Sequence, residues 1–195
     1  MRLSAGKLRL AQSCSWAFRP EVVAPRTESG PAADKGNAFH SLADNDPEGA
    51  AKFLERISAE AQREVWEWLA AYEASEWSKV PWEHERAMAY SPATDTARLL
   101  PKGKHRAYDT LDDTKELAGT ADLIHVDGDE VTVADFKTGW RPEKDAVDAH
   151  AQLRALALFA SRAYGAKRAR IVVLGIGTDG VSPFDAHLDE LDLDA

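Results

Sequence analysis

The sequence has very little cysteine and no long apolar run. Its 195 residues include one cysteine, Cys14, which can form no disulfide within the chain and cannot by itself hold a zinc ion or an iron–sulfur cluster. No stretch approaches the roughly 18 consecutive apolar residues of a membrane span. The basic start, MRLSAGKLRLAQ, also lacks the apolar core of a signal peptide. We therefore expect a cytoplasmic protein with no membrane partner.

An excess of positive charge is missing as well. The chain carries 24 Lys plus Arg against 33 Asp plus Glu, a formal net charge of -9, which taken alone argues against a nucleic-acid partner. The charge is uneven, however, with net +3 over residues 1–37, +4 over 97–106, +5 over 154–170 and -6 over 178–195. The three basic segments are either solvated surfaces, which is usual for charge runs, or parts of one surface that contacts a polyanion.

The hydrophobic pattern indicates one folded α/β domain. Apolar residues recur at helical spacing over 34–43 and over 48–78, where one or two helices are expected, and again over 148–164, which Gly165 would end. Shorter runs typical of strands occupy 82–90, 122–126, 131–137 and 170–176. This order predicts a central mixed β-sheet flanked by helices. We divide the domain into an N-terminal helix and loop (1–33), a helical part (34–80), a core (81–177) and an acidic tail (178–195).

A predicted hairpin between Gly119 and Gly139 carries the most informative residues. If its loop is centred on Gly128 and Asp129, Asp122 stands directly opposite Asp135 on the neighbouring strand. Facing carboxylates of this kind lie about 4.5–5.5 Å apart at Cβ and repel each other. They need a cation, a shared proton or access to solvent, and a hard divalent cation such as Mg²⁺ or Mn²⁺ suits an all-oxygen site. Lys137, two residues after Asp135, can reach the same place; the alternative is a solvated hairpin in which Lys137 only neutralises Asp135.

Four short motifs resemble those of the PD-(D/E)XK nuclease superfamily, in particular its RecB-like branch, which includes CRISPR-adaptation nucleases. In family order they are Gly36-Asn37-Ala38-Phe39-His40, Gly119-Thr120-Ala121-Asp122, Asp135-Phe136-Lys137-Thr138-Gly139 and Gln152 at the start of an Ala- and Leu-rich helix. Residues 3–16 also resemble the family's opening helix. Leu156 departs from the pattern, because the family often has Tyr there.

The resemblance implies a restriction-endonuclease-like fold and a role for each matched residue. Asp122 and Asp135 would bind the metal, His40 would complete its ligands from a helix, and the backbone carbonyl of Phe136 would be a further ligand. Lys137 would position the attacking water, and Gln152 would orient Lys137 or a phosphate. The implied cofactor is Mg²⁺ or Mn²⁺, and the family's iron–sulfur cluster is not expected because its cysteines are missing.

The same resemblance implies a metal-dependent nuclease that cleaves DNA, single-stranded or at duplex ends, with little sequence specificity. An exonuclease-like role in recombination, repair, phage or CRISPR processes would fit. The alternative is a weak or inactive nuclease-fold subunit that binds DNA or protein. A protein partner or a second copy of the chain is compatible with either hypothesis.

Overall fold

Helices come first in the computed structural model, which describes residues 30–101, 110–112, 115–139 and 151–189. They are α1 (Pro31–Ala43), α2 (Pro47–Leu54) and α3 (Ala59–Ala74), and a 3-10 turn follows at Glu76–Lys79. The Asp46 side chain accepts a hydrogen bond from Gly49 N–H and so caps α2, and Ser58 caps α3 in the same way. These two caps explain why the predicted helical zone 48–78 divides into two helices.

The strands form one sheet behind these helices. They are β1 (Glu83–Ser91), β2 (Thr96–Leu99), β3 (Leu117–Asp127), β4 (Glu130–Thr138), β5 (Arg168–Gly177) and β6 (Gly180–Leu188), and α4 (Ala151–Tyr164) lies between β4 and β5 in the chain. The spatial order is β2-β1-β3-β4-β5-β6. Only β4 and β5 are parallel to each other, and the other neighbouring strands are antiparallel. The structure thus confirms a single α/β domain with a central mixed sheet flanked by helices.

Both faces of the sheet are covered by helices. On one face α4 contributes Leu153, Leu156 and Phe159 to a core that includes Ile124 and Val133. On the other face α1 and α3 pack their apolar side chains against alternate residues of the same strands, namely Leu123, Ala134, Phe136, Val172, Leu174 and Ile176. Gly165, at φ 71°, ends α4 as predicted. Functional side chains can therefore reach solvent only where this covering is interrupted.

Three details differ from the sequence-based expectations. The segment 178–195 is not simply a tail, since residues 180–188 form β6, whose alternating Phe184, Ala186 and Leu188 pack on the α4 face. Asp185 is the one acid within β6, and the other acids of the segment lie outside this strand. The turn-rich stretch 91–114 contains the short strand β2, and α1 begins three residues before the predicted helix, at Pro31. The predicted N-terminal helix lies in residues 1–29, outside the described residues.

Candidate active site

The β3–β4 hairpin is regular at its turn and opens at its far end. Its register is the predicted one, with Val126 opposite Val131 and Ile124 opposite Val133 across a two-residue turn. The described pairing runs as far as Leu123 and Ala134. Beyond this point β4 continues alongside β5, and the N–H of Phe136 donates to Asp122 Oδ2 at 3.0 Å. We call this opening, between Asp122 on β3 and Asp135 on β4, the fork.

A second irregularity faces the fork from β1. His84 pairs with Leu123 and Arg86 pairs with Ala121, so Glu85 stands opposite Asp122. Glu85 has a φ of 47°, in the left-handed region that L-residues other than glycine, asparagine and aspartate seldom adopt. Strained backbone of this kind persists only where the surrounding structure imposes it, and it is concentrated at functional sites.

His40 reaches the fork from α1. Its Nδ1 lies 3.7 Å from Asp122 Oδ2, and His40, Glu85 and Asp122 each offer a ligand atom within 4.8 Å of the others. The three residues line a cleft of about 330 Å³ that α1, α2 and the sheet enclose. The other lining residues are Asn37, Ser41, Asp44, Asp46 and Phe53.

Close packing of α1 on β4 sets the position of His40. A Cβ on Gly36 would lie 3.2 Å from Thr138 Oγ1, so the glycine lets the helix approach the strand at this point. One turn later, the His40 ring contacts the edge of the Phe136 ring at a centroid distance of 5.4 Å. Phe136 is itself held by edge contacts with Phe39 and Tyr72. The Gly36 and Thr138 positions of two motifs that are distant in sequence therefore form one contact.

Asp135 and Lys137 complete the charged group on β4. Asp135 is 6% exposed, and its Oδ2 is ion-paired with Lys137 Nζ. Within the described residues this buried oxygen accepts no hydrogen bond of regular geometry. Lys137 is half-buried and lies opposite Gly175 of β5, a residue with no side chain to cover it.

The electrostatics of the cluster follow from burial and from like charge. Burial, and then the charge of Asp135, raise the pKa of Asp122 to about 7, although the Phe136 N–H and Lys137 oppose this shift. Burial is also the main cause that lowers the pKa of His40, although the nearby Asp135 and Glu85 act to raise it. The site therefore holds more negative charge than its own residues neutralise, next to an imidazole that is kept neutral.

These residues fit a divalent cation. Two carboxylates and a neutral imidazole lie within coordinating reach of one another, and the buried Asp135 carboxylate, whose Oδ2 is ion-paired with Lys137, is a further donor close by. Carboxylate oxygens suit Mg²⁺ and Mn²⁺, and imidazole tolerates Mn²⁺ well. A cation would also relieve the repulsion that raises the pKa of Asp122.

Not every predicted site residue is joined to this group. Gln152 lies half-buried in the first turn of α4, and no described hydrogen bond or ion pair connects it to Asp122, Asp135 or Lys137. Leu156 is buried in the α4 core, so its departure from the family pattern replaces a hydroxyl with packing. The structure brings together His40, Asp122, Asp135, Lys137 and the Phe136 backbone.

Sequence reasoning had no signal that selected Glu85. It lies in a strand of mixed charge, where Glu83 and His84 are equally polar. Glu83 instead accepts a hydrogen bond from the Tyr164 hydroxyl at 2.9 Å. Only the strand register, which places Glu85 opposite Asp122, distinguishes the two acids.

The third basic segment is largely neutralised within the fold. Arg162 pairs with Asp95 at 2.9 Å, Arg168 with Asp129 at 2.7 Å and Arg170 with Asp185 at 2.8 Å. Arg98 of the second segment pairs with Glu116 at 3.0 Å, and the remaining cations of that segment lie outside the described residues. Three of the five cations of segment 154–170 therefore have acidic partners, which come from distant parts of the sequence.

Comparison with known proteins assigns a family. A family profile described as the PD-(D/E)XK nuclease superfamily matches residues 2–191. No curated protein matches the chain at a significant level. The crystal structure of SSO0001 is similar at 12% identity and a TM-score of 0.33, over 97% of this chain and 79% of that chain, which is too weak to bear on the function. Within the described residues no helix is long and apolar enough to cross a membrane. The chain belongs to the PD-(D/E)XK nuclease superfamily, a nuclease-type family that acts on nucleic acid.

Proposed function

We propose that this member of the PD-(D/E)XK superfamily is a divalent-metal-dependent nuclease that hydrolyses DNA. The observation that carries the proposal is the convergence at the fork. His40 from α1, Glu85 from β1, Asp122 from β3 and the Asp135–Lys137 pair from β4 meet there, although they are far apart in sequence. A binding scaffold has no need of clustered, buried like charges, which destabilise a fold unless a ligand compensates for them.

Each residue then has a distinct role. His40, Glu85 and Asp122 would hold the cation, with Asp135 and the Phe136 carbonyl as further donors. When bound, Mg²⁺ or Mn²⁺ supplies charge neutralisation at the phosphate and lowers the pKa of a water molecule. Gln152, in the first turn of α4, would orient a phosphate or Lys137.

Lys137 acts on the reacting groups directly. Its ammonium, held by Asp135, orients the attacking water and stabilises the negative charge that develops on the phosphoryl oxygens. The water oxygen forms a bond to phosphorus as the bond from phosphorus to the leaving sugar oxygen breaks. The proton that the water loses passes to solvent, and the leaving oxygen takes up a proton to become a hydroxyl. The products are a phosphomonoester end and a hydroxyl end.

The charge distribution favours action at DNA ends with little sequence specificity. The chain has a net charge of -9, and the described arginines of segment 154–170 named above are paired with acids, so extended contact with a duplex would be weak. Contacts that read base edges are not required for backbone hydrolysis. We therefore propose exonuclease-like processing of DNA ends by a RecB-like enzyme of the cytoplasm, in recombination, repair, phage or CRISPR processes, alone or with a protein partner.

A cleavage assay tests the proposal. The purified protein is incubated with labelled linear and circular DNA, single- and double-stranded, with Mg²⁺, with Mn²⁺ and with a chelator. We expect metal-dependent degradation of linear substrates. Because each side chain stabilises the transition state, Asp135→Asn and Lys137→Ala should each reduce the rate about 10²–10³-fold.

The matched control is Lys115→Ala, which removes a cation that is 74% exposed and belongs to no part of the site. It should cleave at the wild-type rate. If Asp135→Asn and Lys137→Ala also cleave at that rate, the assignment is wrong. DNA binding without turnover in the wild type, at any metal concentration, would instead support the alternative of a nuclease-fold binding subunit.

A further inference from the structure

A side-chain pair next to the metal-binding residues has no part in the chemistry above. His84 Nδ1–H donates to Asp44 Oδ1 at 2.6 Å, across 40 positions of the sequence. We propose that Asp44 and His84 are positioning residues that fix the distance between His40 on α1 and Glu85 on β1. This inference rests on the proposed metal-dependent function.

The Asp44–His84 hydrogen bond joins the end of α1 to β1, next to the residues proposed to bind the metal. Asp44 follows the last residue of α1, and its backbone N–H donates to the carbonyl oxygen of His40 at 2.9 Å. His84 immediately precedes Glu85 in β1. The hydrogen bond therefore connects the turn that carries one metal-binding residue to the neighbour of another.

The backbone of β1 is strained next to the Asp44–His84 hydrogen bond. Successive residues of a regular strand point to opposite faces, yet His84 reaches Asp44, just after the end of α1, and Glu85 lies within reach of His40 in α1. Glu85, with a φ of 47°, departs from regular strand geometry at this point. A strained residue relaxes unless its neighbours hold it, and the Asp44–His84 hydrogen bond holds the residue immediately before Glu85.

Asp44 is also part of the electrostatic environment of the cluster. It lines the same cleft as His40, Glu85 and Asp122. Its charge contributes to raising the pKa values of His40 and Asp122, although it is a minor cause of either shift. A role through charge and a role through the hydrogen bond therefore have to be separated by experiment.

Calorimetric titration of Mn²⁺ into the full chain, with cleavage measured alongside, makes that separation. His84→Ala removes the hydrogen bond, whereas His84→Asn places an amide N–H close to the position of Nδ1. We expect His84→Ala to weaken Mn²⁺ binding about tenfold, the lower end of what outer partners of metal ligands contribute. His84→Asn should restore most of that affinity, and cleavage by His84→Ala should recover at saturating Mn²⁺.

The controls make each result decisive. His187→Ala removes an exposed histidine near Glu130 and Asp185, far from the fork in the sheet order, and should leave Mn²⁺ affinity unchanged. An unchanged Mn²⁺ affinity in His84→Ala, with or without a lower melting temperature, overturns the inference because the pair would then be merely structural. Equal weakening in His84→Ala and His84→Asn overturns it as well, since the hydrogen bond would not be the cause. If the wild type binds no Mn²⁺ and cleaves nothing, it is the proposed function that fails.

Discussion

The two ends of the β3–β4 hairpin are built from the same strands but differ in character. One end is apolar and regular, and the other is charged and irregular. Near the turn, Ile124 and Val133 face each other in a regular ladder and are fully buried. At the fork the described ladder ends, and the residues there are Asp122 of β3 and Asp135 of β4, with a strained Glu85 alongside. Apolar burial at one end thus provides the rigidity with which buried charge is held at the other.

Shortening an apolar side chain at the turn end should have the largest effect on stability. Ile124→Ala deletes buried methylene groups and leaves a cavity, which typically costs about 2–5 kcal/mol of unfolding free energy. Chemical denaturation of both proteins measures this cost. Because the deleted methyl groups bind no cation, the Mn²⁺ affinity of the folded fraction should fall much less than in a variant that loses a charged side chain at the fork. A large loss of affinity would mean that the two ends are not independent.

At the fork, by contrast, removing a charge should affect metal binding more than stability. Glu85→Gln keeps the shape of the side chain but loses the proposed anionic ligand, and we expect Mn²⁺ affinity to fall at least by the roughly 10–100-fold that loss of an outer partner of a metal ligand causes. Glu85→Gly loses the ligand too, but it tolerates the positive φ and should raise the unfolding free energy by about 1 kcal/mol relative to Glu85→Gln. Calorimetry and denaturation measure the two effects separately. Equal stabilities for the two variants would contradict the proposed strain.

The pH dependence of stability should also originate at the fork. Because the pKa of Asp122 is raised from 3.8 to about 7, the folded state keeps a proton that the unfolded state loses over this interval. In metal-free protein, Asp122 should therefore make the unfolding free energy fall as pH rises from about 4 to 7, by at most about 1.4 kcal/mol per pH unit. Asp122→Asn should abolish this contribution, as denaturation series across the interval would reveal. If the unfolding free energy of the wild type depends on pH in the same way as that of Asp122→Asn, the raised pKa of Asp122 is contradicted.

The smallest change concerns the contact that positions α1. Gly36→Ala gains up to about 1 kcal/mol of helix propensity but forces its Cβ against Thr138 Oγ1. The melting temperature should change little, whereas a small displacement of His40 should weaken Mn²⁺ binding by about two- to threefold, no more than the net effect of a single lost hydrogen bond. The double variant with Thr138→Ala makes room and should recover the affinity. Failure to recover would mean that Gly36 does not act through Thr138.

The sequence allowed the regular parts to be predicted and missed those that depend on contacts between distant residues. The register of the hairpin followed from its turn, and the motifs selected His40, Asp122, Asp135 and Lys137, which the structure brings to the fork. Glu85 could not be selected, because a positive φ and a position opposite Asp122 leave no mark on local composition. Nor could the pairing of the 154–170 arginines be foreseen, since charge counts contain no spatial information.

Which residues of α3 are buried could not be predicted from helical spacing either. Val65 and Trp66 are both apolar residues of the predicted helical zone 48–78, but Val65 is buried whereas Trp66 is 49% exposed. The residues that pack with Val65 are Trp68 and Tyr72, which follow at i+3 and i+7. Tyr72 matters beyond its burial, because it supports Phe136 and through it the ring of His40.

The parting of β3 and β4 also divides the sheet mechanically. Beyond Ala134, β4 is bound to β5, while β3 remains bound to β1, so Asp135 and Lys137 belong to one half and Asp122 and Glu85 to the other. The two halves meet along a seam that the Phe136 N–H bridges to Asp122. A cation bound by residues on both sides of this seam would then hold the two sides together, in addition to serving as a cofactor. The alignment of a substrate would then depend on how rigidly the β1–β3 part of the sheet is joined to the β4–β5 part. Rigidity of the sheet at this seam would therefore be a condition for catalysis.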